Sequence, residues 1–106
     1  MDMPNGSHKK VMDLFRLDGR VALVTGGSKG LGFVIAQAFA EAGADVAVVS
    51  RTMEDCRKAA NEIAESTGRR AAAFAVDVTS GDELKRLSAE IEESLGAVDI
   101  LVNNAG

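Results

Sequence analysis

The stretch Val21-Ala22-Leu23-Val24-Thr25-Gly26-Gly27-Ser28-Lys29-Gly30-Leu31-Gly32 decides the fold. Val21 to Val24 form a short apolar run without alternation between Gly19 and Gly26, as expected of a strand buried on both faces. Glycines then crowd a turn that passes straight into a helical period. In that strand–turn–helix setting each glycine acquires a physical reason. Gly26 permits the sharp exit from the strand, Gly30 lets a ligand approach backbone with no Cβ in the way, and Gly32 allows close helix-to-strand packing. The helix N-terminus offers N–H groups and a positive dipole end, a setting for phosphate. A P-loop is excluded, because its last glycine precedes Lys and Ser or Thr, whereas Gly30 precedes Leu31.

The same alternation continues outward. Ala47-Val48-Val49 is a second buried run, entered through Asp45 and Val46. Ala72 to Val76 form a third, and Asp99 leads into a fourth, Ile100-Leu101-Val102. Between them lie helical periods. Leu31, Ile35, Ala38, Phe39 and Ala42 mark one face, ended by Gly43. Cys56, Ala60, Ile63, Ala64 and Thr67 mark the next, with Thr52 and Asp55 as an N-cap pair and Gly68 at the end. Leu84, Leu87, Ile91 and Leu95 mark the third, with Ser80 and Glu83 as a capping box and Gly96 at the end. The order β-α-β-α-β-α-β predicts an α/β fold: a Rossmann-type doubly wound parallel sheet, partial, with strand order 3-2-1-4. A ligand belongs in the crevice between the first and fourth strands, at their carboxyl ends.

Composition narrows the classes. The chain has 106 residues, room for one domain, with 12 Lys+Arg against 16 Asp+Glu and a net charge of −4. That acidity argues against nucleic-acid or anionic-membrane partners. Hydrophobic residues at 46% and charged residues at 26% are globular values. One cysteine excludes an internal disulfide framework, and no apolar run suits a signal peptide or a membrane span, so a cytoplasmic location is expected. Residues 1–14 are expected to be a flexible polar tail; its His8, the one histidine, has no metal-ligand neighbours there. Cys56 falls on an apolar helical face, the place of a small core residue. Glu90, Glu92 and Glu93 make a solvated helix face.

Three separate motifs converge on one family. Thr25-Gly26, three residues, Gly30, one residue, Gly32 resembles the cofactor motif of the classical short-chain dehydrogenases/reductases. Asn103-Asn104-Ala105-Gly106 after the fourth strand is similar to their second signature, and Asp77-Val78 to their adenine-contacting pair. Leu17-Asp18-Gly19-Arg20-Val21 resembles the usual family opening. Lys29 stands where the extended branch would carry a glycine. The resemblance covers residues 15–106, taken as the N-terminal half of an NADP(H)-binding Rossmann domain. It implies cofactor contacts by Thr25, Gly26, Ser28, Lys29, Gly30, Leu31, Gly32, Ser50, Arg51, Thr52, Asp77, Val78, Asn103, Ala105 and Gly106. Asp77 would accept from the adenine amino group, and Asn103 would tie strands together beside the adenosine ribose.

Charge selects the cofactor. NAD-binding folds carry an acid about 20 residues past the glycines, to bind the ribose 2′-hydroxyl. Here that place reads Ser50-Arg51-Thr52. A guanidinium pairs with a 2′-phosphate, and Lys29 would add a second charge, so NADP(H) is favoured over NAD(H). In the family a Ser, a Tyr and a Lys three residues beyond it relay protons, all downstream of the Asn-Asn-Ala-Gly signature. This chain has no Tyr and ends with that signature. The expectation is therefore the cofactor half of an oxidoreductase acting between a carbonyl and a secondary alcohol, inactive by itself, whose parent is a homodimer or homotetramer. The alternative is a short, non-catalytic dinucleotide-binding module. Downstream Ser and Tyr-x-x-x-Lys would separate the two. With only the third helix on one sheet face and an apolar fourth strand at the edge, the isolated chain is expected to be poorly stable or to self-associate.

Overall fold

The central strand carries the fold. Every residue from Asp45 to Val49 is buried, with Val46 and Val48 packed on one face of the sheet and Ala47 and Val49 on the other. A strand this apolar on both sides must have helices above and below it. In the computed structural model, which describes residues 16–104, it does. The tail expected over residues 1–14 lies outside the described residues, as do Ala105 and Gly106.

Seven elements alternate: β1 (Val21–Thr25), α1 (Gly30–Glu41), β2 (Asp45–Ser50), α2 (Met53–Thr67), β3 (Ala71–Ala75), α3 (Gly81–Ser94) and β4 (Ile100–Asn103). The strands form one parallel sheet in the order β3-β2-β1-β4, as the alternation predicts. Val21 stands opposite Asp45, Ala22 opposite Ile100 and Val46 opposite Ala71, so all four strands end at nearly the same level. α1 and α2 cover the face of Val24, Val46 and Val48, where Ile63 is fully buried. α3 covers the face of Ala47, Val49 and Phe74 with Leu87, Ile91 and Leu95. Each fully buried Ile or Leu contributes about 1.5–3 kcal/mol of apolar transfer.

Two helical faces differ from their sequence periods. α1 buries Gly32, Ala36 and Ala40, while Leu31 is 66% exposed and Ala38 is also exposed. The helix is apolar nearly all round, with only Gln37 and Glu41 polar, so hydrophobic period cannot choose its inner face. Close approach chooses it instead: the helix start lies so near the strand exit that its inner row must be small. In α3 the expected Leu84 is 39% exposed, and Leu87, Ile91 and Leu95 do the packing. The caps also divide. Ser80 Oγ accepts from the Glu83 N–H at 3.4 Å, as expected. Thr52 occupies the N-cap position of α2 but its hydroxyl makes no capping bond. Glu54 and Asp55 in the first turn complement the α2 dipole instead.

The amino end of the sheet is closed by side chains. Buried Asp45 accepts from the Arg70 backbone N–H at 3.1 Å and from Arg70 Nη2 and Nε at 2.7 and 3.0 Å. Asp99 Oδ2 accepts from the Val21 N–H at 2.9 Å, tying the start of β1 to the approach to β4. At the edge, Leu101 of β4 is 64% exposed.

Candidate functional site

The carboxyl end is built the other way, and its geometry starts at Gly26. There φ is +64°, a left-handed conformation that glycine adopts without steric cost. The turn hooks sideways, and the Gly26 N–H donates to the Val49 carbonyl at 2.8 Å, fastening the exit of β1 to the end of β2. At Gly32 a Cβ would collide with the Gly26 carbonyl oxygen and come within 2.6 Å of Asn104 Nδ2. This is the close packing that the glycine spacing predicts. At Gly30 φ is +56° and a Cβ would meet nothing within 4 Å, so that backbone faces open space.

α1 therefore begins bare. Its N-cap, Lys29, makes no side-chain capping bond, and its first turn holds no acid. α2 and α3 each carry two acids there: Glu54 and Asp55, and Asp82 and Glu83. The amides of Gly30, Leu31 and Gly32 precede the first intrahelical acceptor and need an outside partner. A groove of ≈ 590 Å³ opens beside them. Gly26, Ser28 and Lys29 line one side; Val49, Ser50 and Arg51 continue it at the end of β2. Val76 to Thr79 form the wall beyond β3, and Asn104 closes it after β4.

The charged groups are unequally committed. Lys29 Nζ is 3.2 Å from Asp55 Oδ2, so its charge is already shared. Arg51 makes no ion pair among the described residues. Across the groove, Asp77 Oδ1 accepts from Thr79 Oγ1 at 2.7 Å and from the Thr79 N–H at 2.9 Å. The Thr79 hydroxyl, then its backbone N–H, hold the Asp77 carboxyl below its ordinary value, and the Arg51 charge adds to this. Asp77 is thus an Asx-turn residue with its carboxylate oriented and ionised.

The groove gathers Gly26, Ser28, Lys29, Ser50, Arg51, Asp77 and Val78 of the residues singled out in the sequence. Others stand apart from it. Thr25 is buried, and its hydroxyl lies 3.2 Å from both the Val102 carbonyl and Asn103 Oδ1, and 3.0 Å from the Asn104 N–H it accepts; Thr25 and Asn103 knit β1 to β4. Gly30 lines a separate groove of ≈ 310 Å³ between α1 and α2. Gly32 is buried beneath the turn, and Leu31 and Thr52 are exposed. Sequence reasoning missed Asn104 and Thr79 as site residues. Asp77-Val78-Thr79 carried the signal for an Asx turn, and Asn104 stood beside Asn103 in the quoted signature.

The donor set fits the diphosphate and adenosine of a dinucleotide: a groove that holds an oriented carboxylate and a guanidinium without an ion pair among the described residues, next to a bare helix start with an open glycine. Among the described residues no group of three His, Cys, Asp or Glu could hold a metal, and no helix is long and apolar enough to cross a membrane.

Comparison with known proteins agrees with this geometry. A family model described as short chain dehydrogenase matches residues 20–106. Sorbose reductase from Candida albicans is 44% identical over 96 residues, 91% of this chain and 34% of that protein. The crystal structure of L-sorbose reductase from Gluconobacter frateurii, complexed with NADPH and L-sorbose, superposes with a TM-score of 0.82 at 38% identity, covering 87% of this chain and 35% of that one. A short-chain type dehydrogenase/reductase from Mycobacterium marinum superposes with a TM-score of 0.85 at 44% identity, covering 91% and 38%. The chain thus spans little more than a third of these relatives' lengths. With the matched model, the sheet order and the glycine turn in agreement, the chain belongs to the short-chain dehydrogenase family of oxidoreductases.

Proposed function

We propose that this chain is the NADP(H)-binding part of a short-chain oxidoreductase that interconverts a carbonyl and a secondary alcohol. The observation that carries the proposal is a groove lined by the N-cap Lys29 of the bare α1 start and, at the end of β2, by an Arg51 that makes no ion pair among the described residues. The amides at Gly30 to Gly32 and the Ser28 hydroxyl hold the diphosphate. Arg51 takes the ribose 2′-phosphate, and Asp77 and Val78 take the adenine, with Asn103, Ala105 and Gly106 beside the ribose. Lys29 plays a lesser part in the phosphate charge because Asp55 shares it. Bound at this site, the nicotinamide cofactor supplies hydride-transfer chemistry. This chain's residues bind and orient; with no tyrosine among them, none serves as the tyrosine acid/base that the family uses. The neighbouring complex with NADPH and L-sorbose supports the cofactor assignment and makes small polyhydroxy carbonyl compounds the first substrates to test.

The test is a pair of fluorescence titrations, NADPH and NADH, on the chain and on Arg51→Ala. A guanidinium–phosphate contact of about 1.5–3 kcal/mol predicts that Arg51→Ala raises the NADPH Kd roughly 10- to 100-fold and leaves NADH within about two-fold. Equal affinity of the unaltered chain for the two nucleotides would defeat the NADP(H) assignment.

A further inference from the structure

Cys56 lies in the first turn of α2, fully buried and behind the groove wall. Its sulfur is 2.9 Å from Ser50 Oγ and 3.4 Å from the Phe74 carbonyl oxygen, and the Thr52 N–H reaches Ser50 Oγ at 3.3 Å. The Phe74 carbonyl can only accept, so the thiol donates to it, and Ser50 Oγ accepts from the Thr52 amide. The one Ser50 hydroxyl proton has two acceptors in reach, the Cys56 sulfur at 2.9 Å and the Thr52 carbonyl at 3.3 Å, and the sulfur is the nearer.

The two ends of this row of bonds belong to segments that lead into two different walls. Thr52 follows Arg51 past the end of β2, and Phe74 lies in β3, opposite Val49 and three residues before Asp77. Regular pairing of these strands ends at Ser50 opposite Ala75, with one last bond from the Val76 N–H to the Ser50 carbonyl at 2.9 Å. The row through Cys56 is a side-chain tie beside these last bonds, from the segment that carries Arg51 to the strand that leads to Asp77.

We propose that Cys56 is a positioning residue: through Ser50 it sets the spacing of the two walls that receive the adenosine end of a bound dinucleotide. The proposal rests on the dinucleotide site described under Proposed function but not on which phosphate form is preferred. Arg51 would discriminate between NADPH and NADH, whereas the Cys56 row would serve both. A mere core role for Cys56 would be met by any side chain of similar volume.

The experiment measures Kd for NADPH and for NADH by fluorescence titration of the full chain, with Cys56→Val, Cys56→Ser, Ser50→Ala and the double variant Ser50→Ala/Cys56→Val, each melted by circular dichroism. Cys56→Val and Ser50→Ala should each weaken both nucleotides about three- to tenfold, the effect of losing one hydrogen bond. Cys56→Ser should bind within about two-fold of the unaltered chain, since a hydroxyl both donates and accepts. The double variant should lose no more than the worse single one. Cys56→Val binding both nucleotides normally, additive losses in the double variant, or no rescue by serine in a normally melting protein each overturn the proposal. Should Cys56→Val not fold, Cys56→Ala and Cys56→Ser carry the same decision, because Ser50 itself lines the groove. A chain that prefers NADH would end the NADP(H) assignment and leave the Cys56 comparison intact; a chain that binds neither nucleotide overturns both.

Discussion

The two ends of the sheet satisfy their backbone in opposite ways. At the amino end, buried Asp45 and exposed Asp99 consume backbone N–H groups and arginine charge within the fold. At the carboxyl end, α1 starts without a side-chain cap or an acid, Gly30 faces open space, and Arg51 has no ion partner among the described residues. A helix start left unmet costs stability unless something outside meets it. The comparison teaches that side chains close the amino end within the fold, whereas the carboxyl end leaves a helix start open, as the proposed cofactor site requires. Changes at the amino end should therefore alter stability alone, and changes at the carboxyl end should alter binding.

The strongest challenge to that division is Gly32, which belongs to both. Gly32→Val would drive side-chain atoms into the Gly26 carbonyl and Asn104. It should destabilise by about 3 kcal/mol or more in urea unfolding and abolish NADPH binding. Asp45→Ala tests the amino end alone. Loss of its charge-assisted hydrogen bonds should cost about 2–3 kcal/mol, while the NADPH Kd stays within about two-fold. A large affinity loss there would break the division. Gly30→Ala tests the carboxyl end alone. At φ +56° the alanine costs only about 1 kcal/mol, yet it puts a methyl on the bare helix start, so the NADPH Kd should rise about tenfold.

The smallest effect sharpens the picture at Asp77. Its carboxyl is held below its ordinary 3.8, so its contribution to stability is complete above that pH and is lost as pH falls through the lower folded value. Thr79→Ala removes the leading cause, the hydroxyl bond. The Asp77 midpoint, followed by carboxyl NMR, should then move up towards 3.8; an unmoved midpoint would show that Thr79 does not hold it.

Legibility varied by element for physical reasons. β2 and the order β3-β2-β1-β4 were plain in the sequence, because unbroken apolar runs alternating with glycine-ended helices admit few topologies. The inner face of α1 was not legible: its nearly all-apolar surface carries no period, and the choice came from contact of Gly32 with the turn, which sets Ala36 and Ala40 against the sheet. Leu31 and Thr52 belong to the right segments, yet both side chains are exposed. Asn104 lay in view in a quoted signature, but its closeness to Gly26 and Gly32 joins residues far apart in the chain.

What the sequence by itself determined is the alternation, the parallel sheet, the place of the glycine turn and the basic residue at the end of β2. These follow from local pattern: period, glycine spacing and charge at a fixed distance along the chain. Tertiary structure alone decided that Lys29 is shared with Asp55 while Arg51 has no ion partner among the described residues, and that Asp77 is oriented by Thr79. It alone decided that Cys56 lies behind the wall that Ser50 joins. Those facts depend on how side chains from different elements meet, and a charge or a thiol does not carry its partner in its own position along the chain.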